Sequence, residues 1–250
     1  MQLFSLEGRV AMVTGCNKGL GQALAVALAR AGADIVGVSR SAADTTRGRV
    51  EALGRRFHGV EAELGRDKAG DIVARALTQA GKLDILVNNA GTIRRAPALE
   101  FTEEDWDAVV DVNLKAAFFL AQRVARHLVE RGSRGKIVNI ASVLSFQGGI
   151  RVPSYTASKS GILGLTRLLA NEWAGHGINV NAIAPGYMAT DNTQALRDDP
   201  QRSADILGRI PAGRWGDPDD LAGAVVFLCS DAANYVHGHA LAVDGGWLAR

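Results

Sequence analysis

Cysteine is nearly missing from this chain: Cys16 and Cys229 are the only two in 250 residues. Two isolated cysteines form no disulfide framework and no metal-ligand cluster. No metal is therefore expected, and a reducing, cytoplasmic setting is the default. A charge surplus of one sign is also missing. Twenty-eight Lys and Arg against 26 Asp and Glu leave a formal charge of +2, which argues against nucleic acid as the main ligand. The apolar runs are only strand-length and end at Gly, Asp or Asn, so no membrane-spanning helix and no membrane partner are expected. The opening Met1–Glu7 has no charged stretch followed by a long apolar one, so no secretory leader is expected. Aromatics make up 6% of the chain, and Trp106, Trp173 and Trp215 read as packing or interface residues.

What is present is an ordinary globular composition, 47% hydrophobic and 22% charged, sufficient for a sizeable core. Short apolar runs recur at Val10–Val13, Ile35–Val38, Ile85–Val87, Ile137–Ile140, Val180–Ile183 and Ala240–Val243, with a weaker candidate at His58–Leu64. Most lack polar alternation, as parallel strands covered on both faces do. Helical patterns lie between them at Leu20–Ala31, Thr102–Asn113, Ser154–Gly175 and Asp217–Ser230. Thr102 reads as an N-cap and Pro218 as a first-turn proline. Strand–helix alternation of this kind gives a Rossmann-type α/β fold, a doubly wound parallel sheet of about seven strands. With no linker, repeat or low-complexity segment, residues 1–250 read as one domain.

Chemistry concentrates in two places. The segment Thr14-Gly15-Cys16-Asn17-Lys18-Gly19-Leu20-Gly21 follows the first strand and opens the first helix. Glycines there permit a tight turn and close approach of a pyrophosphate to unpaired helix N–H groups. Tyr155 and Lys159, four apart on a helix, share one face. A phenol with a pKa of about 10 needs a neighbouring positive charge to act as a base near neutrality. Ser142 lies at the C-terminal end of the Lys136–Ala141 strand, where ligands bind in such sheets. His237 and His239 share one face of a candidate strand but have no third ligand at suitable spacing.

The spacing of Gly15, Gly19 and Gly21 resembles the glycine motif of the short-chain dehydrogenase/reductase family. So do Asn88-Asn89-Ala90-Gly91 after a strand, Pro185-Gly186 after the sixth strand, and the closing Val243-Asp244-Gly245-Gly246. The resemblance extends over nearly the whole chain. It implies hydride transfer on a nicotinamide cofactor, with Tyr155 exchanging the substrate proton. Lys159 then lowers the Tyr155 pKa and holds the nicotinamide ribose, Ser142 bonds the substrate oxygen, and Asn113 organises a water reaching the lysine. Cofactor contacts are implied at Gly15, Asn17, Lys18, Gly19, Leu20, Gly21, Ser39, Arg40, Glu63, Leu64, Asn89, Ala90, Gly91, Tyr155, Lys159, Pro185, Gly186, Met188 and Thr190. Glu63 stands where the family more often carries Asp beside the adenine.

The second strand ends Val38-Ser39-Arg40-Ser41, without the acid that would repel a 2′-phosphate. Arg40 and Lys18 therefore favour NADP(H), with NAD(H) as the alternative. The segments at Ile93–Arg95, Leu144–Pro153 and Gly186–Thr190 resemble a sugar-acid branch of the family. They imply a deoxy keto or hydroxy sugar acid as the small-molecule substrate. Arg94 and Arg151 are candidates to grip its carboxylate and Gln147 its hydroxyls, beside Ser142 and Tyr155. The segment Tyr187–Pro211 reads as a cover over the substrate. A homotetramer is implied, packing through Phe101–Arg131 and Ser154–Gly175 and through the C-terminal segment. Two other readings stay open: a 3-oxoacyl reductase or glucose dehydrogenase on the same scaffold, and a nucleotide-binding protein without turnover.

Overall fold

The computed structural model describes residues Gln2–Arg250. The first strand, β1 (Val10–Thr14), is buried along its whole length, and α1 (Gly19–Arg30) follows directly. Then come β2 (Asp34–Ser39), α2 (Asp44–Glu51), β3 (Phe57–Glu61), α3 (Ala69–Ala80) and β4 (Ile85–Asn88). The second half runs α4 (Glu103–Val110), α5 (Ala117–Glu130), β5 (Gly135–Ile140), α6 (Pro153–Trp173) and β6 (Ile178–Pro185). Two short helices, α7 (Gln194–Arg197) and α8 (Pro200–Leu207), precede α9 (Ala222–Cys229) and β7 (Ala240–Val243).

The seven strands form one parallel sheet in the order β3-β2-β1-β4-β5-β6-β7. Continuous apolar runs suit it because side chains on both faces are covered. Ala11 and Val13 of β1 pack with Leu24, Leu28, Val225 and Leu228 of α1 and α9. Val10 and Met12 face the other way, toward Ile72, Leu120, Val124 and Leu128 of α3 and α5. Strand order reverses between β1 and β4, which opens a crevice at their C-terminal ends.

Several expected boundaries move. The weak strand candidate His58–Leu64 is β3 at Phe57–Glu61, so Glu63 and Leu64 lie in the turn beyond it. The helix expected over Thr102–Asn113 is α4, continued by a π-helical stretch, Asp111–Ala116, that joins it to α5. Thr102 is its N-cap, accepting the Asp105 N–H at 3.1 Å. The pattern Asp217–Ser230 divides into a 3-10 turn, Pro218–Leu221, capped by Asp217, and then α9. His237 and His239 lie before β7, outside any strand, and no cluster of three metal-ligating residues exists among the described residues. Among those residues, no helix is long and apolar enough to cross a membrane.

One buried ion cluster ties the sheet's opposite end. Asp84, 3% exposed, accepts the Val10 N–H at 2.9 Å, lies 3.2 Å from Lys82 Nζ and pairs with Arg131. Burial alone would raise its pKa, but these donors and charges outweigh burial and hold it below the usual carboxylate range.

Candidate active site

The crevice is built on the ends of β1 and β4. Thr14 Oγ1 accepts the N–H groups of Asn89 and Ala90, each at 3.0 Å. The Asn89 amide returns bonds to the carbonyls of Thr14 and Gly15 at 2.9 and 3.3 Å. The glycine loop is thereby clamped to the strand beside it. Gly15 and Gly19 take positive φ, +67° and +55°, which side chains disfavour. At Gly21 a Cβ would lie 2.1 Å from the Gly15 carbonyl oxygen. That close approach admits only glycine.

These residues fit a dinucleotide phosphate. The α1 N-cap, Lys18, makes no side-chain capping bond, so the first N–H groups of α1 have no cap side chain as a partner. Over Gly19, nothing comes closer to a Cβ position than Thr190 Cγ2 at 3.9 Å. Asn17 Nδ2 reaches Ser41 Oγ at 3.2 Å, which joins this loop to the end of β2. Ser39 is buried and donates to the Ser41 carbonyl. Arg40 is exposed and makes no ion pair among the described residues. Lys18, expected to face a phosphate, pairs with Asp191 at 2.6 Å. Glu63 pairs with Arg66 at 3.1 Å, and Leu64 packs into the core beside α3.

The Tyr155 constellation assembles around the end of β5. Ser142 caps the turn Val143–Ser145, accepting the Leu144 N–H, and its hydroxyl lies near enough to Tyr155 to oppose the rise of its pKa. Ser145 Oγ, in turn, donates to the Lys159 carbonyl at 2.7 Å. Lys159 Nζ is buried, donates to the Ile140 carbonyl at 2.6 Å, and sits 5.7 Å from the Tyr155 ring centroid. Asn113, 2% exposed, lies in the π-helical stretch, a feature frequent at functional sites. Its amide locks onto the Thr92 backbone in both directions and donates to Ser158 Oγ, which donates to the Tyr155 carbonyl. Asn113, Ser142, Tyr155 and Lys159 thus form one bonded unit.

Electrostatics in this unit are set mainly by burial. Burial pushes the Tyr155 phenol up, with the Ser142 hydroxyl and the Arg95 charge opposing it. Burial also lowers Lys159 to about 8. The lowering of Tyr155 expected from Lys159 is therefore not what the protein's own groups produce. Cys16, in the glycine loop, is pushed to about 11 by burial, which makes it inert as a nucleophile.

The mouth differs from expectation in its arginines. Arg94 is turned to α4, 3.2 Å from Asp105. Arg95, not among the residues expected to grip the substrate, is the one whose charge reaches Tyr155. It also donates to the Asn192 carbonyl at 2.9 Å. No sequence signal separates the two neighbours, because their direction depends on how the β4 loop docks. Arg151 is exposed and has φ +63°, the one non-glycine residue at positive φ among those described; its carbonyl accepts the Ala96 N–H. Gln147 is half-buried at the same mouth.

The cover begins at the end of β6. Pro185 is buried there, and a Cβ on Gly186 would meet Asp244 Cα at 2.6 Å, so the chain ends of β6 and β7 touch. Met188 is buried against Gly216. Thr190 and Thr193 form a reciprocal capping box, and Thr193 Oγ1 donates to the Met188 carbonyl at 2.6 Å. Tyr187, Trp215 and Trp247 pack with Val143, Ile206 and Ile210 as a separate apolar cluster under the cover.

Comparison with known proteins agrees with this geometry. A family model described as enoyl-(acyl carrier protein) reductase matches residues 15–248. The 2-dehydro-3-deoxy-D-gluconate 5-dehydrogenase of Escherichia coli (strain K12) is 62% identical over 251 residues, covering 100% of this chain and 99% of that protein. A crystal structure from Agrobacterium tumefaciens, described as a 2-deoxy-D-gluconate 3-dehydrogenase with bound NADP, is 60% identical. It superposes with a TM-score of 0.95 and 100% coverage of both chains. A gluconate 5-dehydrogenase from Burkholderia cenocepacia J2315, solved with NADP and tartrate, is 40% identical with a TM-score of 0.95, covering 100% of this chain and 98% of that one. The glycine loop, the Tyr155 unit and these full-length matches lead to one conclusion: the chain belongs to the short-chain dehydrogenase/reductase family of oxidoreductases.

Proposed function

We propose that this protein is an NADP(H)-dependent dehydrogenase that interconverts a hydroxyl and a carbonyl on a deoxy sugar acid of the 2-dehydro-3-deoxy-D-gluconate type. The observation that carries it is Arg95, anchored on the Asn192 carbonyl at 2.9 Å with its charge acting on Tyr155. A guanidinium there offers a carboxylate paired hydrogen bonds, whereas an acyl-chain substrate has no use for one. The full-length sugar-acid relatives support the same substrate class. Residues 1–250 act as one dinucleotide-binding domain.

A nicotinamide cofactor held with its phosphates at the α1 N-terminus would supply or accept the hydride. Gly15, Gly19, Gly21, Asn17 and Leu20 would form the phosphate cradle, and Ser39 and Arg40 would receive the 2′-phosphate. Asn89, Ala90, Gly91, Pro185, Gly186, Met188 and Thr190 border the nicotinamide side. In the oxidising direction, Tyr155 Oη takes the proton of the substrate hydroxyl as the C–H bond gives up hydride. In the reducing direction it returns that proton to the carbonyl oxygen. Ser142 Oγ hydrogen-bonds the same oxygen and fixes its distance from Tyr155. Lys159, buried with its ammonium 5.7 Å from the Tyr155 ring centroid, would hold the nicotinamide ribose. Asn113 positions the unit through Ser158.

Arg95 and Arg151 hold the carboxylate end, with Gln147 on the hydroxyls. Arg94 has less claim, since Asp105 already occupies it. The exposed apolar side chains Trp106, Phe119 and Leu168 lie on α4, α5 and α6, which supports a homotetramer joined through those helices. Two buried, unpaired cysteines suit a reducing cytoplasm.

Steady-state kinetics test this reading. Oxidation of 2-dehydro-3-deoxy-D-gluconate is expected to proceed with a kcat/KM at least tenfold higher with NADP than with NAD. It is also expected to exceed reduction of a 3-oxoacyl thioester. Faster turnover of the thioester would transfer the protein to the acyl-reductase reading.

A further inference from the structure

The cation nearest the phosphate cradle is already engaged. Lys18, the N-cap of α1, points its ammonium at Asp191, 2.6 Å away, and both side chains are largely exposed, 70% and 76%. Asp191 opens the 3-10 turn Asp191–Thr193 at the start of the cover. That turn is firmly placed. The Thr190–Thr193 capping box closes it, Arg95 donates to the Asn192 carbonyl, and Arg197 donates to the Thr190 carbonyl at 3.3 Å. A carboxylate is therefore held beside a helix N-terminus whose N–H groups and dipole attract anions.

We infer that Asp191 is an affinity-setting residue for the cofactor, competing with a cofactor phosphate for the single ammonium of Lys18. The inference rests on the dinucleotide reading of the cradle. With Asp191 engaged, Lys18 is neutralised in advance, and a phosphate gains its charge only by displacing the carboxylate. The ammonium holds the Asp191 carboxyl below the usual carboxylate range, so the competitor stays ionised at neutral pH. The displaced carboxylate also loses its tie to the glycine loop, so cofactor binding removes one of the contacts that hold the cover's first turn.

Competition and plain like-charge repulsion make opposite predictions in a double-mutant cycle. The cycle uses wild type, Asp191→Asn, Lys18→Gln and the double variant, with dissociation constants for NADPH and NADH from fluorescence titration at 0.15 M salt. Both positions, Lys18 and Asp191, are exposed, so the changes leave the core untouched. Competition predicts that D191N tightens binding about two- to fivefold, the scale of one exposed ion pair. The same change in the K18Q background should shift it by less than about 1.5-fold, since no ammonium remains to be freed.

A gain with NADPH alone assigns the competing anion as the 2′-phosphate, and a gain with both cofactors assigns it as the pyrophosphate; either supports the inference. Unchanged or weaker binding in D191N would overturn it. So would an equal or larger gain in the K18Q background, because repulsion by an unneutralised carboxylate grows when Lys18 is gone. If wild type binds neither dinucleotide, the cofactor reading falls and this inference with it.

Discussion

Replacing Gly21 by Ala tests whether the glycine loop is a fitted cradle or an ordinary turn. The added Cβ would stand 2.1 Å from the Gly15 carbonyl oxygen, 2.4 Å from Asn89 Nδ2 and 2.7 Å from the Gly15 carbonyl carbon. Ordinary contact needs about 3.5 Å, so some group must retreat by more than an ångström. Two of the obstacles are backbone, and the loop is clamped by four hydrogen bonds between Asn89 or Ala90 and Thr14 or Gly15. Relief comes from opening the β1–α1 turn, which sacrifices the two bonds of the Asn89 amide.

Overpacking of this kind costs about 1–3 kcal/mol, and each lost hydrogen bond roughly another 1 kcal/mol. A total of about 3–5 kcal/mol corresponds to a Tm lowered by roughly 6–20 °C in a chain of this size. Cofactor binding should suffer more, because displaced N–H groups lose bonds to a charged phosphate worth about 1.5–3 kcal/mol each. The expected result is NADPH affinity reduced by more than tenfold in a fluorescence titration, alongside the lower Tm by calorimetry. Gly48→Ala is the control. It lies in exposed α2 with open space around its Cβ position and should stabilise by about 0.5–1 kcal/mol. A G21A protein that binds NADPH within threefold of wild type and keeps its Tm would refute the close-approach argument.

Other perturbations address the cofactor pocket, the buried charges and the sheet's far end. Arg40→Asp is expected to lower kcat/KM with NADP by about 100-fold, the order of one lost charge-assisted contact plus new repulsion, and to improve the NAD reaction. Lys159→Met should abolish turnover yet stabilise the fold at pH 7 by about 1–3 kcal/mol, since it removes a buried charge. The unfolded state binds more protons than the folded state where the Lys159 pKa is lowered to about 8 from 10.5. The wild type should therefore gain stability as pH rises through that window, a gain that K159M loses in part. Asp84→Asn should cost about 1–3 kcal/mol in urea unfolding, the scale of a lost charge-assisted hydrogen bond, because Arg131 and Lys82 lose their buried partner while staying partly exposed. Because the folded pKa of Asp84 is lowered, its contribution is present above the ordinary carboxylate pKa and fades as pH falls through the folded value. D84N would flatten that acid limb.

Much of this architecture was legible because apolar runs and glycine placement are local signals. β1, β2, β4, β5, β6 and β7 fall where the runs lie, and α1 and α6 where the periodicity does. β3 was shifted because His58, Gly59 and Glu61 dilute its apolar character; only Phe57 and Val60 are buried in it. The helix α3 escaped notice although it buries Ile72, Val73 and Ala76, since its amphipathic pattern lies next to the polar run Gly65–Lys68. The four residues of the Tyr155 unit were readable from spacing and resemblance, but their mutual bonds through Ser158 and Ser145 were not. Charge partners were the least legible. Whether Lys18 meets a phosphate or Asp191, and where Arg95 turns, depends on contacts between segments 173 and 97 residues apart. Such pairings leave no periodic trace in the chain.

The central claim is that Tyr155 carries the proton during hydride transfer, and Tyr155→Phe tests it with the loss of one oxygen. The Ser142 and Lys159 contacts within the scaffold leave the ring's place intact, and NADPH affinity should stay within about threefold of wild type. Single-turnover reduction of the keto sugar acid, followed by NADPH absorbance, should slow by about 10²–10⁴-fold, the range for removing a positioned general acid. A Y155F enzyme that turns over within tenfold of wild type would contradict the account at its core.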